Sequence, residues 1–437
     1  MRLEIDRMVY GGAGLARNHE ASGQTVQVPF TLPGEQIEAC LTGPTEASLL
    51  QVLTPSESRV APNCAHFGQC GGCHYQHASY PAQIETKSAI LRDSLHQAGL
   101  QSLPSLQLHT ANPWHYRNRT RMRVESLHGK LHVGYNRRAT NAFLPIHKCP
   151  ISAPLILQAA EALLQISHEP TPSGRWTHGM AEVEFFTTPG EEKLQMLTFL
   201  RKREKTATGF TAFCEQMSLL IPQLTGAGSF LLTGAAGQRR QQKARPLSHW
   251  RAGGLVYPAA GEDYWISRGG FFQVNRFLID ELVNTVVHNR QGDLAWDLYA
   301  GVGLFSRALS RGFPRVVAVE AAASDLVNTF KGQGRLAVAS NTHEFLRSAM
   351  VQRERPQLVV VDPPRSGIGA DVSNLLGRLA PAEIVYVSCD PVSLGRDLAI
   401  LTAGGYSLSE LHLFDLFPQT FHIETVAVLR RDEPVVW

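Results

Sequence analysis

From Phe271 onward one rhythm repeats: a short apolar run ends in a small or acidic residue, and a helix-length segment follows. The runs are LAWDLYAG, RVVAVE, LAVAS, QLVVVDPP and IVYVSCDP, and SELHLFDLF and ETVAVLRR come after them. Strands that are apolar at consecutive positions have both faces covered, and parallel neighbours need helical crossovers. Residues 271–437 are therefore expected to form an α/β domain with a doubly wound, Rossmann-like sheet, with helices predicted over Gln273–Asn289 and Gly303–Ser310. Ligands of such sheets sit at the carboxyl ends of the strands, so the residues closing each run carry the functional reading.

In WDLYAGVGLFS, Gly301 and Gly303 lie between a predicted strand and a predicted helix, where missing side chains let a ligand approach the backbone. Glu320 ends the next strand, placed to accept hydrogen bonds from ribose hydroxyls. This pattern predicts a nucleoside cofactor without separating a dinucleotide from S-adenosylmethionine. Asp362 in VVVDPPRSG ends a further strand, and the two prolines after it stiffen the chain and remove two amide donors. Cys389 in YVSCDP closes the next one. An isolated cysteine usually fills core space, but a thiol on the same edge as Gly301, Glu320 and Asp362 is read as functional.

The rest of the chain divides in two. Residues 1–57 alternate apolar and polar positions between Gly-rich breaks, in LEIDRMV, QTVQVPF, GEQIEACL and SLLQVL. They predict a small β-barrel of the oligonucleotide-binding type. Residues 58–270 form a strand-rich central domain, and a helix over Tyr80–Ala98, within a segment 80–112, is expected to pack on the last domain. Cys64, Cys70 and Cys73 fall within ten residues, and Cys149 follows in IHKCP. Such crowding predicts a metal site, with four thiolates suiting either zinc or an iron–sulfur cluster. In HYRNRTRMRVES, Arg117, Arg119, Arg121 and Arg123 recur at every second position, so a strand presents all four on one face, opposed only by Glu125. Phosphate contacts to RNA are expected there.

The net charge of +3 does not itself indicate a nucleic-acid partner, and the seven cysteines, an odd number, argue against a disulfide framework. The start MRLEIDRMVY lacks the pattern of a signal peptide, and no run of about 20 apolar residues occurs. A cytoplasmic monomer without membrane contact is expected.

These motifs together resemble the S-adenosylmethionine-dependent RNA uracil-5-methyltransferases, especially the bacterial 23S rRNA type. The likeness spans nearly the whole chain, from an N-terminal barrel similar to a TRAM domain, through C-x5-C-x2-C with Cys149, to FFQVN, DLYAGVG, VVVDPPRSG, YVSCDP and FPQTFHIETVAVL. It implies that Cys389 is the nucleophile and Glu424 the base. It further implies that Gln273, Tyr299, Gly301, Gly303, Glu320 and Asp362 contact S-adenosylmethionine, with Asn341 a further candidate, and that Cys64, Cys70, Cys73 and Cys149 hold a [4Fe-4S] cluster. The alternatives are a tRNA uracil-5-methyltransferase and a non-catalytic iron–sulfur RNA-binding protein.

Overall fold

A computed structural model describes residues 1–18, 24–201, 209–233 and 243–432. The end of the expected last domain, 433–437, lies outside the described residues. The N-terminal sheet has five antiparallel strands in the order Gln24–Pro29, Ala13–Asn18, Arg2–Val9, Gln36–Leu41 and Ala47–Thr54. A backbone bond from Gln27 N to Thr45 O (2.8 Å) brings its two edges together. Inward positions such as Leu3, Ile5, Val26, Val28 and Ile37 fill the interior. The sequence reading lacked the strand Ala13–Asn18: its glycine-rich start, GGAG, reads as a break, whereas Gly11 and Gly12 make the turn and pairing begins at the next residue, Ala13.

The central domain is built on a seven-stranded sheet, with Arg119–Leu127 paired between Met180–Thr187 and Lys130–Asn136. Helices Pro154–Ser167 and Phe210–Leu220 bury apolar faces against it. A separate hairpin, Gly254–Ala259 and Glu262–Ser267, lies in sequence before the expected boundary at 271. Its Leu255, Tyr257, Tyr264 and Ile266 nevertheless share a core with the last domain, together with Phe272, Leu282 and Val385.

The last domain has an eight-stranded sheet in the order Arg335–Ala339, Arg315–Glu320, Leu294–Leu298, Leu358–Val361, Glu383–Ser388, Glu424–Arg431, Tyr406–Phe414 and Leu106–His109. The first five are mutually parallel, and Glu424–Arg431 runs antiparallel between Glu383–Ser388 and Tyr406–Phe414. Leu358–Val361 is buried along its whole length, as expected of a strand covered on both faces. The strand order reverses between Leu294–Leu298 and Leu358–Val361, opening the crevice where ligands of such sheets bind.

The helix Tyr80–Gln97 packs against Pro391–Ala403, and the strand after it, Leu106–His109, extends the catalytic sheet at its edge. The helix expected over Gln273–Asn289 begins only at Ile279. Its first residues are used otherwise: Val274 O accepts from Asn118 N (2.9 Å), and Arg117 bridges to Asn275. Among the described residues no helix is long and apolar enough to cross a membrane.

Candidate active site

The carboxyl edge of the sheet opens into a cavity of about 910 Å³ whose lining includes Gln273, Tyr299, Gly301, Glu320, Asp362, Cys389 and Glu424. Tyr299, Asp362 and Cys389 each immediately follow a parallel strand, and Glu320 ends one. Glu424 begins the antiparallel strand, so its amino end lies on the edge where its neighbours have their carboxyl ends.

Each group is held by local bonds. Glu320 accepts from Gly301 N (3.0 Å) and Ala322 N (2.9 Å), which fixes its carboxylate beside the turn. Tyr299 sits at φ 65 and shares a side-chain hydrogen bond with Thr342. Asp390 caps the helix after Cys389 by accepting from Val392 N (3.1 Å) and Ser393 N (3.0 Å), so the thiol lies just before a helix N-terminus. Tyr10, from the N-terminal sheet, donates to the other Asp390 oxygen (3.2 Å).

The electrostatics oppose ionisation. Burial pushes the Cys389 thiol up to about 12, with Glu424 and Asp362 adding to the rise. Burial and the nearby Asp297 push Asp362 up to about 7. Glu424, 3 % exposed, is raised well above the carboxylate range by burial and then by Asp362. A thiol and two carboxyls that resist charge are suited to moving protons once a positive group enters.

Sequence reasoning missed three contributors. Arg365 and His422 both line the cavity, with Arg365 Nη2 2.9 Å from His422 Nδ1. Burial and the Arg365 charge lower His422 to about 3, so it is a neutral acceptor for the guanidinium. The available signal was spacing, because His422 precedes Glu424 by two residues and alternate residues of an extended chain share a face. Asp297 is fully buried beneath the site; one oxygen accepts from Ser306 Oγ and Oδ1 has no partner among the described residues.

Two expected donor contacts are placed differently. Asn341 is exposed and spends its side-chain oxygen capping the helix Thr342–Gln352, accepting from Glu344 N (2.9 Å), and it is not part of the cavity lining. Gly303 is also absent from the lining. It heads the helix Leu304–Leu309 at φ 85, where a Cβ would stand 3.0 Å from Leu326 Cδ1, so its role is close packing.

Cys64, Cys70, Cys73 and Cys149 line a second cavity of about 470 Å³ together with Arg117, Arg119, Arg121 and Lys148. Burial pushes Cys73 up to about 12, with neighbouring thiolates contributing. Among the described residues no three His, Cys, Asp or Glu side chains converge on a single ion position. Arg117 Nε is buried there without a partner among the described residues.

The arginine strand is more neutralised than its sequence predicts. Arg121 pairs with Glu182 (2.5 Å) and stacks on Phe199, and Arg123 pairs with Glu125. Arg119 lies over Phe186 and 3.9 Å from Glu184. The opposing carboxylates come from Met180–Thr187, the adjacent strand, which is why a local count found only Glu125.

The fold and cavity define a nucleoside-dependent group-transfer enzyme: a doubly wound sheet whose crevice presents a glycine turn, a strand-terminal carboxylate and a thiol. Comparison with known proteins narrows this. The tRNA (uracil-5-)-methyltransferase family matches residues 335–432. The chain is 30% identical to a 23S rRNA (uracil(1939)-C(5))-methyltransferase RlmD of Pectobacterium carotovorum, covering 96% of this chain and 92% of that one. It is also 30% identical to an uncharacterized RNA methyltransferase of Streptomyces coelicolor, over 98% and 92%. A tRNA (uracil-54, C5)-methyltransferase of Pyrococcus abyssi, solved with S-adenosyl-L-homocysteine, has the same fold at a TM-score of 0.72 and 21% identity, with 98% of this chain and 100% of that chain covered. The chain belongs to the S-adenosylmethionine-dependent RNA uracil-5-methyltransferase family.

Proposed function

We propose that this enzyme methylates C5 of a uridine in 23S rRNA through a covalent bond between Cys389 and C6 of the base. The observation that carries this reading is the meeting of Cys389, Asp362 and Glu424 on one cavity at the mouths of neighbouring strands. The RlmD relative, similar over almost its full length, supports the choice of 23S rRNA.

Uracil C5 is too weak a nucleophile to take a methyl group unaided. Addition of sulfur at C6 makes the ring an enolate with electron density at C5. Cys389 gives up its proton as its sulfur bonds C6, and Asp362, raised to about 7 and on the same cavity, is assigned to receive it. S-adenosylmethionine supplies an activated methyl on a positively charged sulfur. The cavity's acidic lining, Glu320, Asp325, Asp362 and Glu424, fits that charge, and positive charge entering it favours ionised carboxyls. Glu424, once ionised, removes the C5 proton, the C6–S bond breaks with its electrons returning to sulfur, and the ring recovers its double bond. Gln273, Tyr299, Gly301 and Glu320 are assigned to hold the donor. Turning the target base out of its stack costs a few kcal/mol, and the N-terminal barrel with the basic strand is assigned to offset it by gripping flanking RNA.

The test is a reaction with RNA carrying 5-fluorouridine, which lacks the proton that Glu424 must remove. The parent enzyme should form a denaturation-stable protein–RNA adduct, and Cys389→Ala should form none and transfer no methyl; full turnover by the variant would refute the reading. Mapping 5-methyluridine in 23S rRNA and tRNA from a deletion strain decides the substrate.

A [4Fe-4S] cluster held by Cys64, Cys70, Cys73 and Cys149 completes the proposal. The four thiols line one cavity of about 470 Å³, a donor set of the kind that holds an iron–sulfur cluster. The unpartnered Arg117 Nε suits an anionic group there. Its role is structural, tying the loop 64–73 to the central domain.

A further inference from the structure

The loop 415–423 joins the two antiparallel strands of the catalytic sheet and delivers Phe417, His422 and then Glu424 to the cavity. Its polar groups are satisfied largely from outside the methyltransferase domain. Lys87, on the helix Tyr80–Gln97, is completely buried and donates to Asp415 Oδ1 (2.5 Å) and Phe417 O (3.0 Å). Tyr80, one end of the same helix, donates to Asp415 Oδ2 (2.9 Å). Gln83, between them, makes a reciprocal pair with Gln419: its Nε2 donates to Gln419 Oε1 (3.0 Å) and its Oε1 accepts from Gln419 N (3.0 Å).

Gln419 adopts φ 68, a left-handed conformation that a non-glycine residue keeps only where its surroundings impose it. The Lys87–Asp415 pair raises the same point energetically. A fully buried ion pair contributes little more to stability than apolar residues of equal volume, so stability alone does not account for one at this place. What it supplies is direction: three donors on Lys87 and two acceptors on Asp415 fix a helix and a loop at one register, where apolar packing would let them slide.

We propose that Lys87, with Gln83, is a positioning residue for catalysis: it clamps the loop 415–423 so that Glu424 and His422 face Cys389. The inference rests on the assignment of Glu424 as the base, and the experiment separates the two. The test uses the full-length protein with the double substitution Lys87→Met and Asp415→Asn, which removes both charges while leaving an acceptor for Tyr80. A displacement of about 1 Å at a reacting group costs about 100-fold in rate, and kcat should fall by about that factor. Donor KM and RNA affinity should stay near the parent's, because Gln273, Tyr299, Gly301 and Glu320 lie on other segments. The protein–RNA adduct on ordinary substrate should accumulate, since proton removal at C5 is slowed more than attack at C6.

A kcat near the parent's, or a loss that only tracks the folded fraction seen by thermal melting, overturns the proposal. Gln83→Met, which breaks the Gln419 pair without touching a charge, covers the case in which the double variant does not fold: it should show the same split between kcat and KM, to a smaller extent, and an unchanged kcat counts against the clamp. Glu424→Gln is run beside them. Should it trap no adduct, the base assignment fails, and the clamp is judged by the kcat-against-KM split alone.

Discussion

Replacing Asp362 with asparagine should stabilise the donor-free enzyme in a pH-dependent way. Asp362 is raised from 3.8 to about 7 by burial and by Asp297. A carboxyl with a raised folded-state pKa holds its proton more tightly in the folded chain than in the unfolded one. Its contribution is therefore fully present below about pH 4 and is lost as pH climbs to about 7. Above that, the enzyme carries the full cost of a charged carboxylate beside a second acid. The rise from 3.8 to about 7 corresponds to about 4 kcal/mol. Asp362 is only partly buried and faces the cavity, so water there screens the charge and about 2 kcal/mol is the better figure. In a domain of this size that is about 4–8 °C in Tm. Thermal melts of parent and Asp362→Asn across a series from about pH 4 to about pH 9 should show the variant gaining on the parent up to about 7 and then holding a constant lead. A Tm difference that stays flat across the series would refute the argument, because an uncharged substitution that merely alters packing has no pH dependence. The variant should also lose methyl transfer, since the group proposed to receive the thiol proton is gone.

Gly301→Ala should raise the donor KM by about tenfold or more while lowering stability by about 1 kcal/mol, the cost of a side chain at a left-handed position; at φ 57 the new methyl meets no protein atom within 4 Å and enters the donor cavity, so an unchanged KM contradicts the placement. Protein purified without oxygen should contain iron and acid-labile sulfide in equal amounts, and Cys73→Ser should lose both. Elemental analysis giving zinc without sulfide would replace the cluster with a single-ion site.

The sequence was legible where structure is written in consecutive residues. Strands covered on both faces must be apolar throughout, so LVVV and IVYVS announced themselves, and the residues that close them, Asp362 and Cys389, could be placed on one edge before any coordinates. Glu424 was found only by family likeness, because nothing local says that an antiparallel strand starts on that same edge. Asn341 misled because asparagine serves helix caps as readily as ligands, and here the cap prevails. The arginine strand misled because its counter-ions arrive by pairing: Glu182 is 61 residues from Arg121. Lys87 is 328 residues from Asp415, and no periodicity in the helix reveals that its one lysine is buried.

That last distance bears on how the active site is made. Cys389 and Asp362 need only the sheet, because each is delivered by a parallel strand fixed on both sides by its neighbours. The loop that leads into Glu424 has no such support, although Glu424 itself opens a strand paired with Glu383–Ser388 and Tyr406–Phe414. His422 and Glu424 follow a loop whose Asp415 and Gln419 are answered by the helix Tyr80–Gln97, while His74 N and Tyr75 N, just past Cys73, both donate to Gln419 O (2.8 and 3.0 Å). Phe421 is wedged between the Tyr10 ring of the barrel (5.5 Å) and the His74 ring (4.7 Å), and Tyr10 itself reaches Asp390 beside the thiol. The barrel, the cysteine-rich loop and the linking helix therefore do more than accompany a catalytic domain. Each contributes a contact to the segments that carry Cys389 and Glu424, and the chemistry proposed for that pair depends on how those segments are held.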